Sequence, residues 1–259
     1  MESYDLISRG IKKPSPLGTL AFVGLRSLDP FLQYGILARG IGSSLILRLG
    51  LKTLPPGLPT NTGTFLDSLG LSPYRAILLG MAIGSAVKQC YWLIFVSQEE
   101  FKPSAAIPVA VYNTVFNSLC DLLFTCTATS GSLSSNSIFP QAPLIIGTTL
   151  YATGILTETI SEVQRRNFKA DPKNKGNVYT GGLFSLARHI NYGSYALWRA
   201  GYALAAGNWA LGLLACTWLT FDFAKRAIPV MDEYCTQRYG ADWIKYKQET
   251  KSVLFPGIL

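Results

Sequence analysis

The sequence predicts an all-α fold: a polytopic transmembrane helix bundle of about six spans, closed by a cytosolic amphipathic C-terminal helix. Three observations carry this. The 259 residues are 49% hydrophobic and only 15% charged, with a mean hydropathy of +0.25, too apolar for an ordinary soluble domain. Apolar segments recur at lengths suited to a bilayer, which asks about 20 mainly apolar residues of each crossing helix. Finally, the basic residues crowd into alternate loops. The net charge of +8 is therefore read as a positive-inside bias, and nucleic acid is excluded as a partner.

The segments follow in order. A short apolar stretch at 17–25 is too brief to cross and is expected in the interface. The first span covers about 29–51, the second 74–96, the third 105–129 and the fourth 142–160. The fifth, at 192–206, is short, and only "GN" separates it from the sixth at 209–227, so the two form a tight helical hairpin. Beyond Pro229 the pattern is an amphipathic helix with Tyr234, Tyr239, Trp243 and Tyr246 as apolar or interfacial positions. Arg9, Lys12 and Lys13, then "QEEFK", "QRRNFKADPKNKGN" and "KRAIPVMDEYCTQRYGADWIKYKQETK", fall on one side of such a bundle. The opposite loops, "KTLPPGLPTNTGTFLDSLGLSP" and "TATSGSLSSNSIFPQ", are nearly free of charge, which places both termini in the cytosol. Residues 1–140 are expected to face the substrate and 141–259 to hold a cofactor. The polar opening "MESYDLISRGIKKPSPLG" leads to no short apolar core with a cleavage site, so no cleavable leader is expected. The odd set of five cysteines argues against a disulfide framework, and one histidine excludes a multi-histidine metal site.

Ionisable residues within spans are costly and are functional candidates by default. Asn113, Asn117 and Asp121 recur every four residues and share a helix face, either as a pocket wall or as glue between helices. Lys88 or Arg39 is the expected partner of Asp121. Glu158 is expected deep in the fourth span and Glu162 wet at its end. Arg199 calls for a carboxylate, a phosphate or water. On the cytosolic side Arg165, Arg166, Lys169, Lys173, Lys175, Arg188, His189, Lys225 and Arg226 form a candidate anion site, since Arg grips phosphate through a two-pronged fork. No P-loop, G-x-G-x-x-G, G-x-S-x-G or H-E-x-x-H motif is present, so a bound nucleotide would need a membrane-embedded site.

Three ordered stretches carry a resemblance: "ETISEVQRRNFKADPKNKG", "GGLFSLARHINY" and "KRAIPVMDEYCTQRYGADWIKYKQETKSVLFPGIL". Together they resemble the C-terminal domain of the steroid 5-alpha-reductase and sterol-reductase superfamily. The resemblance implies a multi-pass membrane enzyme, in the endoplasmic reticulum, that binds NADPH from the cytosol and reduces a C=C bond of a steroid, sterol or other isoprenoid lipid. It assigns cofactor contacts to Gln164, Arg166, Arg188, His189, Asn191, Tyr192, Arg226, Asp232, Glu233 and Tyr239. A buried acid must then supply a proton, for which Tyr112, Asp121 and Glu158 are candidates, with Tyr91 behind them. Two positions depart from the pattern: Ile190 stands where the family has Pro, and Ser194 where it has a Glu that orders the cofactor end. The same R-H-x-x-Y and acidic-pair pattern is similar to membrane methyltransferases of the isoprenylcysteine carboxyl and phospholipid types, which use S-adenosylmethionine. That is the alternative, and a non-enzymatic membrane scaffold is a third.

Overall fold

A computed structural model describes residues 10–133 and 139–258. Arg9 and positions 134–138 of the uncharged loop, both used in the charge argument, lie outside the described residues. Among the described residues the chain is helical, with no strand beyond one isolated bridge between Thr53 and Cys126. The helices are α1 (Pro16–Arg39), α2 (Ser43–Arg48), α3 (Pro73–Tyr91), α4 (Pro103–Thr125), α5 (Ala142–Ala170), α6 (Ile190–Gly207), α7 (Trp209–Asp222), α8 (Ile228–Tyr239) and α9 (Ala241–Glu249). Five of them, α1, α3, α4, α5 and α8, carry Pro in the first two positions. The ring pre-sets the helical φ there, and the missing N–H is one that has no intrahelical partner anyway. α3 and α7 each run on into a π-helical segment, Trp92–Val96 and Phe223–Ala227.

Several expected boundaries move. The first span is not 29–51. α1 starts at Pro16 and absorbs the stretch expected in the interface, then stops at Arg39 because Gly40 and Gly42 adopt φ of +69° and +89°. α5 continues ten residues past the predicted end at 160. The C-terminal amphipathic helix is two helices, broken at Gly240 with φ +53°. The α6–α7 hairpin forms as expected: Asn208 takes φ +135°, and its Oδ1 accepts from Ala210 N at 2.9 Å and Leu211 N at 3.3 Å.

Two helices, Pro73–Val96 and Pro103–Thr125, are long and apolar enough to cross a membrane by length and composition. α1 and the end of α5 carry charge, and α6 and α7 are short.

The distribution of polarity is inverted relative to a water-soluble protein. Leu20, Leu28 and Phe31 of α1, Val111, Val115 and Leu119 of α4, and Leu213, Trp218 and Phe221 of α7 are exposed. Arg26, Asp29, Gln33, Ser85, Asn113, Asn117, Asp121 and Arg199 are buried. Charged residues are rarely buried unless partnered: Arg26 and Asp29 form an ion pair, while Arg199 and Asp121 are held by hydrogen bonds.

α5 and α6 pack most closely. A Cβ on Gly147 would lie 2.6 Å from Gly201 O, and one on Gly201 would lie 2.6 Å from Gly147 O. Glycine at both positions lets the backbones touch, the small-residue packing typical of helices in lipid.

Candidate functional site

Two polar systems emerge. The first is the buried network joining α1, α3, α4 and α6. Arg199, fully buried, donates to Asn117 Oδ1 at 2.8 Å, to Asn113 Oδ1 and to the Tyr195 hydroxyl at 3.1 Å. The Trp198, Phe116 and Tyr195 rings enclose its guanidinium, with centroids at 4.2, 4.7 and 5.3 Å. Arg199 therefore needs no phosphate: amide oxygens and ring faces replace the expected carboxylate. Asn117 passes the charge on, donating to Asp29 Oδ2 at 2.7 Å, and Asp29 pairs with Arg26 at 3.1 Å. Of the two readings of the 113/117/121 face, the glue between helices is what this geometry provides.

The three expected proton donors are dispersed. Asp121 pairs with neither Lys88 nor Arg39. It accepts from Tyr202 at 3.1 Å, and its Oδ2 has no partner among the described residues. Lys88 instead forms an ion pair with Glu158, whose other oxygen accepts from Trp198 Nε1 at 2.6 Å. Those contacts tie Glu158 of α5 to α3 and α6. Tyr112 sits half-exposed on α4, within electrostatic reach of Tyr195, Asp222 and Arg226. Tyr91 lies at the far end of α3 against Phe95.

The second system gathers around the turn that opens α6. His189 is buried and stacks on Tyr192, with centroids 5.5 Å apart and planes 8° apart. Tyr192 in turn stacks on Phe223 at 5.0 Å and 11°. Tyr195 meets Phe223 edge-on at 5.8 Å, and Trp243 meets His189 edge-on at 6.3 Å. Phe223 opens the π segment of α7, whose Arg226 forms a two-pronged pair with Asp222 at 2.8 and 2.5 Å. A π segment widens the helix and is often found at functional sites.

α8 and α9 brace this cluster. Asp232 accepts from Trp243 Nε1 at 2.7 Å and from Lys247 at 3.1 Å. Burial alone would raise the Asp232 carboxyl. These two donors outweigh it and hold the group below the usual carboxylate range.

The remaining predicted residues divide. Arg188 directs Nη1 at the C-terminal segment. It donates to the carbonyls of Thr250 and Lys251, while the backbone N–H groups of Arg188 and His189 bind Ser252 O and Val253 O at 3.1 and 2.8 Å. Asn191 donates to Glu162 at 2.7 Å, and Glu162 is also held by Arg165 at 2.6 Å, so Glu162 is buried rather than wet. Gln164 accepts from Leu183 N at 3.0 Å and shapes the "GGLF" turn. Tyr239 lies beside Lys169, 3.2 Å away at the end of α5, and Glu233 is exposed on α8. Arg166 faces a separate cavity with Tyr91 and Phe95.

Sequence reasoning missed Asp222, Tyr195, Phe223 and the closing segment 250–254. Asp222 and Arg226 at i and i+4 were a visible signal. Gly193 was another: a Cβ there would lie 2.2 Å from Leu254 O, so this glycine admits the C-terminal segment over the turn.

A family model described as "Protein of unknown function (DUF1295)" matches residues 84–250, a region that includes the α6 turn and the α4 and α6 members of the buried network. "Probable O-methyltransferase ustE" of Ustilaginoidea virens is 42% identical over 241 residues, covering 92% of this chain and 85% of that protein. "7-dehydrocholesterol reductase" of Danio rerio is 32% identical over 87 residues, 33% of this chain and 18% of its own length. "Protein-S-isoprenylcysteine O-methyltransferase B" of Arabidopsis thaliana is 24% identical over 116 residues, 45% of this chain and 57% of its own. The matched region and the near full-length relative agree, and this chain belongs to the DUF1295 family.

Proposed function

We propose that the chain is a membrane-embedded methyltransferase that moves a methyl group from S-adenosylmethionine to an oxygen of a lipophilic acceptor. The observation that carries this reading is the make-up of the cluster at the α6 turn. Aromatic faces (Tyr192, Phe223, Tyr195) adjoin an Asp222–Arg226 pair. Rings attract a cation such as a sulfonium, and an acid–base pair suits an amino-acid zwitterion. A dinucleotide needs cations for its phosphates, and two of the expected ones already have partners: Arg165 with Glu162 and Arg188 with the Thr250 and Lys251 carbonyls. The near full-length similarity to the probable O-methyltransferase supports the same conclusion.

In this reading Arg226 and Asp222 would hold the amino-acid end, and Tyr192, Phe223 and His189 would line the rest of the site. Bound S-adenosylmethionine supplies an electrophilic methyl group. The chain's own work is to exclude water through the aromatic stack and to orient the acceptor. Tyr112, half-exposed on α4, is the residue this reading assigns to hydrogen-bond the acceptor oxygen.

The six-span arrangement, both termini in the cytosol and an endoplasmic-reticulum location belong to this proposal. Their support is the inverted polarity of the bundle and the uncharged opposite loops. NADPH-dependent reduction of a sterol-type C=C bond is the second reading, favoured by the similarity to 7-dehydrocholesterol reductase. Against it, Ser194 replaces an acid. Ser194 is buried and brings no charge to that position.

The test is transfer of labelled methyl from S-adenosylmethionine into organic-extractable product, using purified protein and a lipid extract of its host. Label incorporation that disappears in Asp222→Asn supports the proposal. NADPH consumption with the same extract and no label would replace it with the reductase.

A further inference from the structure

We propose that a cavity of ≈ 230 Å³ between the π extension of α3 and α5 binds the acidic head of a single-chain amphiphile, with Arg166 as its counter-ion. Tyr91, Phe95, Val96, Val163 and Arg166 line it. The walls are aromatic and aliphatic, and the one charge on the lining is positive. Two consecutive arginines have separate tasks here. Arg165 turns inward and pairs with buried Glu162. Arg166, about 100° further round the helix, is exposed, and its hydrogen bond is to the neutral amide of Asn167 at 3.1 Å. Among the described residues no carboxylate pairs with Arg166, so an anion is the missing complement.

The position fits an amphiphile. Phe95 and Tyr91 are partly exposed on the outer face of a helix apolar enough to span, with ring centroids 5.4 Å apart. Arg166 lies on the part of α5 that continues beyond the predicted fourth span, where a lipid head would meet water. An alkyl chain lies against Tyr91 and Phe95 while its carboxylate or phosphate meets the guanidinium. The π segment Trp92–Val96 forms the α3 wall. This inference rests on the membrane orientation proposed above and not on which cofactor is bound.

The experiment uses the full-length protein in neutral detergent with cis-parinaric acid as the probe, read by energy transfer from tryptophan; Trp92 adjoins the lining. The acid is expected to bind about 10-fold tighter than its methyl ester, the size of one charge-assisted pair. Arg166→Gln is expected to erase that preference, Val163→Trp to reduce binding of both probes by filling the cavity, and Lys173→Gln to leave the preference intact. Displacement by oleate at lower concentration than by lysophosphatidate identifies a free acid as the ligand; the reverse order identifies a phosphate headgroup. A preference that survives in Arg166→Gln, or its absence in the native protein, overturns the proposal. Thermal protection by S-adenosylmethionine, measured on the same Arg166→Gln preparation, is expected to be unchanged, which separates failure of this site from failure of the methyltransferase reading.

Discussion

The buried network of α1, α3, α4 and α6 and the cluster at the α6 turn are both polar, yet they are built differently. In the network the charges of one helix are met by another: Arg26 of α1 by Thr114 of α4, Asp29 of α1 by Asn117 of α4, and Arg199 of α6 by Asn113 and Asn117 of α4, with Arg26 and Asp29 also paired within α1. It is buried. The turn cluster is assembled from stacked rings, a surface ion pair and a C-terminal segment, and several of its groups are half-exposed. A polar group that is buried and bonded across helices holds those helices together. A polar group that reaches the surface beside aromatic faces is available to a ligand. The two regions therefore call for opposite responses to mutation.

The largest expected effect is in the network. Arg199→Met removes the donor to two buried amide oxygens and one hydroxyl, and should cost roughly 3–5 kcal/mol. Denaturant unfolding in detergent measures it, and a loss below about 1 kcal/mol would break the contrast. Next comes Gly193→Ala. The added methyl must displace Leu254 from the turn, costing about 1–3 kcal/mol and exposing the C-terminal segment to limited proteolysis. Tyr192→Ala tests the other region: stability should change little, while S-adenosylmethionine affinity falls about 10-fold, since the stacked face is lost. Asp121→Asn sharpens the comparison further. The Tyr202 bond to Oδ1 survives this substitution, so stability should stay within about 1 kcal/mol, with methyl transfer intact.

The smallest effect is electrostatic. Asp232 is held below the usual carboxylate range by Trp243 and Lys247, against the pull of burial. Its contribution is thus complete above the unfolded value of about 3.9 and is lost as pH falls through the lower folded value. Below about pH 4 α9 should loosen from α8, seen as a shift in Trp243 fluorescence. The group is mostly exposed, so solvent screening keeps the energy small.

Much of the helical layout was legible. Apolar lengths placed α3, α4, α6 and α7 within a few residues, and "GN" marked the hairpin. α1 was misplaced because its inward face is polar. Arg26, Asp29 and Gln33 lower the apolar signal of a helix that buries them, and the helix ends at two left-handed glycines inside the expected span. Motif resemblance located the α6 turn, with His189 and Tyr192 at its centre. It assigned Arg188 and Asn191 to ligands, whereas in the fold they grip the C-terminal segment and Glu162. Those partners lie 29 to 63 residues away in sequence, and nothing local announces them. Phe223 was likewise hidden, because only the fold brings the π segment of α7 against Tyr192.

The most direct test of the central claim is thermal unfolding of the purified protein with S-adenosylmethionine and with NADPH, since a ligand that binds the folded state raises its apparent stability. The account predicts a rise with S-adenosylmethionine that is lost in Tyr192→Ala and retained in Asp121→Asn, and no rise with NADPH. A rise with NADPH alone would contradict it and make the α6 turn a dinucleotide site.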